Sequence, residues 1–236
     1  GAAQAVPGRF TRRTPEATGL HLARRRSGQP CLWTTLHLKE KLLADSEALQ
    51  VTLLVTSILD DLGIPHVIGG SMASIIHGML RTTMDVDILA DMQPEHVSPF
   101  VVKLQDAFYT DKAVIHQAIQ RRSSFNLIHL ATMFKVDIFL PKDRAFDQQQ
   151  LKRRMAEPVG PDADAQLWVL TPEDIVLAKL DGFRLGGEVS ERQWRDILGV
   201  LKTQQTMLNL DYLRQWAQEL RVADLLERAL EELVDN

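Results

Sequence analysis

Apolar positions change period several times along this chain, and each change predicts a different element. From Leu38 to Leu62 the stripe Leu49, Leu53, Leu54, Ile58 and Leu59 has helical spacing, and Gly63 ends it. The unbroken run Ile64-Pro65-His66-Val67-Ile68 predicts a short buried strand that enters the turn Gly69-Gly70. Ser71 to His77 then predicts a helix, with Ile75, Ile76 and Met79 on one face. Asp85-Val86-Asp87-Ile88-Leu89 alternates as a strand does, and a helix is expected from Pro94 to Phe108. Two strands are expected at Ala113–Ala118 and Phe125–Leu130, joined by Arg121-Arg122-Ser123-Ser124 as a hairpin loop. A third strand follows over Phe134 to Leu140. Pro141 and the polar run Asp143 to Arg154 are expected to end the sheet, and Pro158, Gly160 and Pro161 mark a linker.

The last third of the chain reads as helices. Thr171-Pro172-Glu173-Asp174 is a helix start, with a threonine cap, proline in the first turn and acids near the positive end. Ser190-Glu191-Arg192-Gln193 reads as a capping box opening a helix with Trp194, Ile197, Leu198 and Leu201 on one face. Leu213, Trp216, Leu220, Leu225, Leu226, Leu230 and Leu233 predict further amphipathic helices. The expected organisation is an α/β (α+β) unit over 37–142, a linker and strand over 143–170, and a helical C-terminal domain over 171–236. No internal repeat is evident.

The candidate chemistry lies where strand, glycine turn and helix meet. Gly69 and Gly70 permit positive φ and close approach of a phosphate. A helix start gathers free N–H groups that attract anions, and Ser71 adds a hydroxyl donor. Read alone, Gly69-Gly70-Ser71 is an ordinary strand-to-helix turn; the aspartates downstream change that. Strand alternation puts Asp85 and Asp87 on one face, and Asp is depleted in strands, so a pair needs a reason. Adjacent carboxylates repel unless a cation lies between them, and Mg²⁺ prefers such oxygen ligands. In the third strand Lys135, Asp137 and Phe139 face away from the apolar side. A neighbouring strand there can carry Asp85 and Asp87. Three carboxylates can hold two metals about 3.5–4 Å apart, or Asp137 can serve as the base for an acceptor hydroxyl. His77 and His129 read as ordinary helix and strand residues, and no His/Cys cluster has zinc-ligand spacing.

Composition narrows the setting. The 236 residues are 45% hydrophobic and 25% charged, enough for a sizeable core. The net charge of −4 argues against a broadly basic nucleic-acid platform. Cys31 is the one cysteine, which excludes an intrachain disulfide and fits a reducing compartment, so a cytoplasmic protein is expected. No apolar run reaches the roughly 18–20 residues that span a membrane. Within the first forty residues, Arg9, Arg12, Arg13, Arg24, Arg25, Arg26 and Lys39 outweigh Glu16 and Glu40, a net +5 that leaves −9 for the rest. Residues 1–36 are expected to be a flexible basic tail. It reads as an electrostatic nucleic-acid arm, as an organellar targeting segment, or as non-native or upstream-translated sequence; the last is preferred.

Gly69, Gly70, Ser71, Asp85, Asp87 and Asp137 together resemble the signature of the nucleotidyltransferase superfamily with the DNA polymerase β-like fold. That signature is a Gly-Gly or Gly-Ser turn, Asp-x-Asp about a dozen residues later, and a third Asp on another strand. Arg81-Thr82-Thr83-Met84-Asp85-Val86-Asp87 resembles the R-x-T-x-D-x-D form of small bacterial members, including abortive-infection-type toxins. The resemblance covers roughly residues 45 to 200. It implies a mixed sheet flanked by helices and transfer of NMP from an NTP, such as ATP, to an acceptor hydroxyl. By the same resemblance Asp85, Asp87 and Asp137 bind Mg²⁺ or Mn²⁺, and Gly69, Gly70 and Ser71 hold the triphosphate. Lys179 and Asp196 match late-helix positions near the nucleotide; a plain Lys–Asp pair between packed helices explains them equally well. Arg81 reads as a site residue or, preferably, as a structural ion-pair partner. The implied acceptor is a tRNA, a protein or a small hydroxylated compound, and a cognate antitoxin is the implied partner. The rival readings are a non-catalytic nucleotide-binding antitoxin or regulator of the same fold, and a purely structural interaction module.

Overall fold

The structure is a computed structural model, and it describes Gly1 and residues 47–79, 83–159 and 165–234. The expected tail over 1–36, Cys31, Arg81, and Gly160 with Pro161 lie outside the described residues.

The elements run in this order. Helix α1 (Glu47–Asp61) leads to β1 (His66–Ile68), α2 (Gly70–Ile76) and β2 (Asp85–Ala90). A 3₁₀ turn (Pro94–His96), α3 (Val97–Leu104), β3 (Phe108–Tyr109) and α4 (Lys112–Arg121) follow. Next come β4 (Ser124–His129), β5 (Lys135–Phe139), α5 (Ala145–Arg153), β6 (Met155–Val159) and β7 (Ala165–Val169). Helices α6 (Pro172–Leu185), α7 (Glu191–Gln204), α8 (Leu210–Glu219) and α9 (Ala223–Val234) close the chain.

Seven strands form one mixed sheet in the order β3-β4-β5-β2-β1-β7-β6. The α/β class is thus as expected, with β2 parallel to β5 and antiparallel to β1. Val86, Ile88, Val136, Ile138, Phe125 and Leu127 point to one face and are buried. Helices α1, α3 and α4 cover that face, and Phe100 of α3 meets Phe125 edge-on at 6.4 Å between ring centres. The opposite face carries the alternating polar residues of β2 and β5. There α2 packs on β2 and on α6, and α6 packs on α7 and α8.

Four expectations are corrected. Ala113–Ala118 is not a strand but the body of α4. The Asp111 carboxylate accepts the N–H groups of Ala113 and Val114 at 2.7 and 3.4 Å, a helix cap. Ile115, Ala118 and Ile119 then bury one helical face. Arg121 to Ser124 is therefore no hairpin loop: Arg122 ends α4 in the left-handed conformation (φ 48) and Ser124 opens β4. The stretch from Pro94 to Phe108 is not one helix but a turn, α3 and the start of edge strand β3.

The polar run after Pro141 does not end the sheet. It forms α5, whose Phe146, Gln150 and Leu151 are buried, and the chain returns as the β6–β7 pair. Pro158 is accommodated because β6 is an edge strand.

Buried acids tie α6 to its neighbours. Thr171 caps the helix as expected, accepting the Asp174 N–H at 3.2 Å. Asp174 is fully buried and accepts the Tyr212 hydroxyl at 2.6 Å. Arg153 donates to Glu173 at 3.2 Å and stacks 3.7 Å from the Tyr212 ring centre. Burial pushes the Asp174 pKa up, and the Tyr212 and Arg153 contacts oppose that. Tyr212→Phe removes the donor and leaves the carboxylate buried. The expected loss is about 1–3 kcal/mol, read as a lower denaturant midpoint at unchanged slope; an unchanged midpoint would refute this account of the helix junction.

Candidate active site

Helix α2 starts against the acidic face of the sheet, and the turn there is shaped by its glycines. Gly69 donates its N–H to the Asp87 carbonyl at 2.9 Å, so this amide is spent on joining β1 to β2. Gly70 has φ +55, and a Cβ on it would fall 1.7 Å from Asp87 Oδ2. The Asp87 carboxylate thus rests directly against the Gly70 backbone. Ser71 follows, and its hydroxyl has no hydrogen-bond partner among the described residues.

The strand register assembles the acids. Asp87 pairs with Asp137 across the parallel β2–β5 ladder, and Asp85 pairs with Lys135. Alternation places all four on the same face. Thr83 donates to an Asp85 carboxylate oxygen at 3.1 Å. Lys135 Nζ donates to Asp137 Oδ2 at 2.8 Å. Burial, then the charges of Asp85 and Asp137, push the Asp87 pKa up to about 6; Lys179 and Lys135 oppose this. The hydrogen bond to Asp137 in turn raises the Lys135 pKa.

The glycine turn and Asp87 open onto a cavity of about 540 Å³. Gly70, Ser71 and Asp87 form one wall, and Lys179 and Asp196 lie on the helical side. Lys179 Nζ donates to Asp196 Oδ2 at 2.9 Å, so the pair between packed helices exists, and it exists on the cavity wall. Both side chains are buried, Lys179 at 8% exposure and Asp196 at 6%. Asp85 and Asp137 lie beside Asp87 on the sheet rather than on the cavity wall. His77 is structural, bonding the Leu170 carbonyl at 2.8 Å, and His129 contacts Thr132.

Sequence reasoning missed several cavity residues. Arg144 bonds Asp147 and Asp181, each at 2.7 Å, and lines the cavity with Lys142 and Arg192. Asp181 lies 37 positions from Arg144, and no motif marks these residues. The Lys135 contact was within reach of the alternation, which already put Lys135 and Asp137 on one face.

As the side chains stand, no three acidic, imidazole or thiol groups among the described residues form a ready metal cage. The donor set nevertheless suits a hard divalent cation. Burial first, and then the charges of Asp85 and Asp137, raise the Asp87 pKa against the opposing lysines, so added positive charge is favoured there, and oxygen donors are what Mg²⁺ takes. No described helix is long and apolar enough to cross a membrane.

No family model and no curated protein matches the chain. Solved structures do match. An antigenic nucleotidyltransferase-like protein from Paracoccidioides brasiliensis has 17% identity and a TM-score of 0.55, over 82% of this chain and 91% of that one. The antibiotic-resistance factor ANT(2'')-Ia has 15% identity and a TM-score of 0.47, over 79% and 97%. The lincosamide antibiotic adenylyltransferase LnuA, with lincomycin bound, has 16% identity and a TM-score of 0.43, over 66% and 96%. The first match shows that this chain has a nucleotidyltransferase-type fold.

Proposed function

We propose that this chain is a Mg²⁺-dependent nucleotidyltransferase that moves NMP from an NTP to an acceptor hydroxyl. The observation that carries the reading is the Asp87–Asp137 register, with Asp85 on the same face, at a glycine turn that opens on a cavity. The acceptor oxygen attacks the α-phosphorus, the bond to the bridging oxygen breaks, and pyrophosphate leaves. Asp85, Asp87 and Asp137 would hold the divalent cation, which supplies Lewis-acid stabilisation of charge on the phosphoryl oxygens. Ser71 donates to a phosphate oxygen from its place beside Asp87. Lys179, buried on the facing helix, supplies positive charge opposite the carboxylates. Asp137 completes the metal site or takes the proton of the acceptor hydroxyl.

The acceptor classes that fit are a tRNA, a protein hydroxyl and a small hydroxylated compound. The R-x-T-x-D-x-D form supports a toxin of a toxin–antitoxin pair, with a cognate antitoxin as partner and the cytoplasm as its place of action.

The deciding experiment follows label from each of four α-³²P-NTPs, with Mg²⁺, into total RNA, protein and small hydroxylated compounds. The Asp85→Ala/Asp87→Ala double variant runs alongside. Label in one fraction, lost in the variant, is the expected result and names donor and acceptor class together. Thermal stabilisation by NTP, about 2.7 kcal/mol at 100 times Kd, with no label in any fraction would instead mark a nucleotide-binding regulator.

A further inference from the structure

Lys135 is the cation that the carboxylates already have. The register sets it opposite Asp85, while Asp137 sits opposite Asp87. Its ammonium is 2.8 Å from Asp137 Oδ2, and its side chain is 44% exposed against 18% for Asp137. An ion pair with one half-exposed partner adds little to the fold, about 1 kcal/mol at the upper end for exposed pairs, so stability is a poor account of a lysine at this position. Among the described residues Lys135 is the ammonium hydrogen-bonded to the trio, and Lys179 acts on Asp87 from the facing helix; three carboxylates still outnumber these two charges, a deficit which a divalent cation would fill. The long, half-exposed stem gives Lys135 room to swing aside.

We propose that Lys135 is a tethered counter-ion of the carboxylate trio, which a divalent cation must displace from Asp137, so that Lys135 sets how tightly this chain holds metal. The inference rests on the nucleotidyl-transfer reading of the same carboxylates. Without metal, Lys135 screens their repulsion and holds Asp137 by the hydrogen bond along β5. With metal, the ammonium yields an oxygen of Asp137 and stays nearby as a repulsive charge. That repulsion weakens binding and leaves the site dependent on the additional negative charge an NTP brings. Lys135 is thus a positioning residue that couples metal occupancy to nucleotide occupancy.

The test is Mn²⁺ binding to the full chain, without nucleotide, by titration calorimetry at pH 7.5. Wild type is compared with Lys135→Met, Lys135→Gln and Lys135→Arg. Removing a nearby positive charge should tighten Mn²⁺ by about tenfold in Lys135→Met and Lys135→Gln, while Lys135→Arg stays near wild type. Melting provides a second readout: added Mn²⁺ should raise the melting temperature of Lys135→Met by more than that of wild type, each against its own value in EDTA. Unchanged or weaker Mn²⁺ binding by both neutral variants, with wild type binding normally, overturns the inference and leaves nucleotidyl transfer standing. No Mn²⁺ binding by any variant, even with NTP, removes the nucleotidyl-transfer reading and this inference with it.

Discussion

Asp87→Asn is expected to make the metal-free protein more stable and the enzyme inactive. The Asp87 pKa is raised from 3.8 to about 6 by burial and by Asp85 and Asp137. A carboxyl whose folded pKa lies above its unfolded value favours the fold while protonated. That contribution is complete below pH 4 and is lost as pH rises through 6. By pH 7 the loss is at most about 3 kcal/mol, from 1.36 kcal/mol per unit. Asparagine keeps the shape and drops the charge, so the variant should melt higher than wild type in EDTA at pH 7. Near pH 4 the two should converge. Added Mn²⁺ should stabilise wild type and not the variant. Losing a metal-holding oxygen should cost several kcal/mol of transition-state stabilisation, about 10³-fold in kcat/KM. At subsaturating metal, wild-type activity should fall as pH drops through 6. A lower melting temperature for Asp87→Asn at pH 7 in EDTA would contradict the picture of a site that costs stability until it is filled.

That cost explains which parts of the site the sequence reveals. Paired acids in a strand break the local rule for strands, and the break marks Asp85, Asp87 and Asp137 as functional candidates. Their shared face follows from alternation alone. The register does not: β2 and β5 are separated by α3, β3, α4 and β4, and only the ladder shows Asp87 opposite Asp137. The failure at α4 has a local cause. The short apolar run Ala113-Val114-Ile115 suits a strand as well as a helix, while the cap at Asp111 and the helical triplet Ile115, Ala118, Ile119 decide the outcome. Helix α5 was missed because it buries few apolar residues and is held instead by Arg144 and Arg153, whose partners include Asp181 and Glu173 on α6. Such long-range ion pairs have no period to detect. The resemblance points to Lys179 and Asp196, and the structure adds that they bond each other on the cavity wall.

Gly70→Ala should separate the fold from the chemistry more sharply than any change to Gly69. At Gly69 an added methyl would meet the tip of Leu170 at 3.2 Å, a flexible side chain that can give way. At Gly70 two penalties coincide. The backbone sits at φ +55, where an L side chain is strained by roughly 1–2 kcal/mol. The new Cβ would also lie 1.7 Å from Asp87 Oδ2, and no real contact is that short. Either Asp87 rotates out of its place opposite Asp137, or the start of α2 moves and carries Ser71 with it. Both outcomes misplace the groups proposed to hold metal and phosphate, and a displacement of about 1 Å can cost 10²-fold. The expected variant is folded, loses about 1–3 kcal/mol of stability, and transfers label at least about 10²-fold more slowly. Mn²⁺ binding should weaken in parallel, because Asp87 is the group pushed aside. Gly69→Ala, in the same assays, should stay within about tenfold of wild type. If Gly70→Ala kept full Mn²⁺ affinity and activity, the close seat of Asp87 against the turn could not be the working geometry of the site.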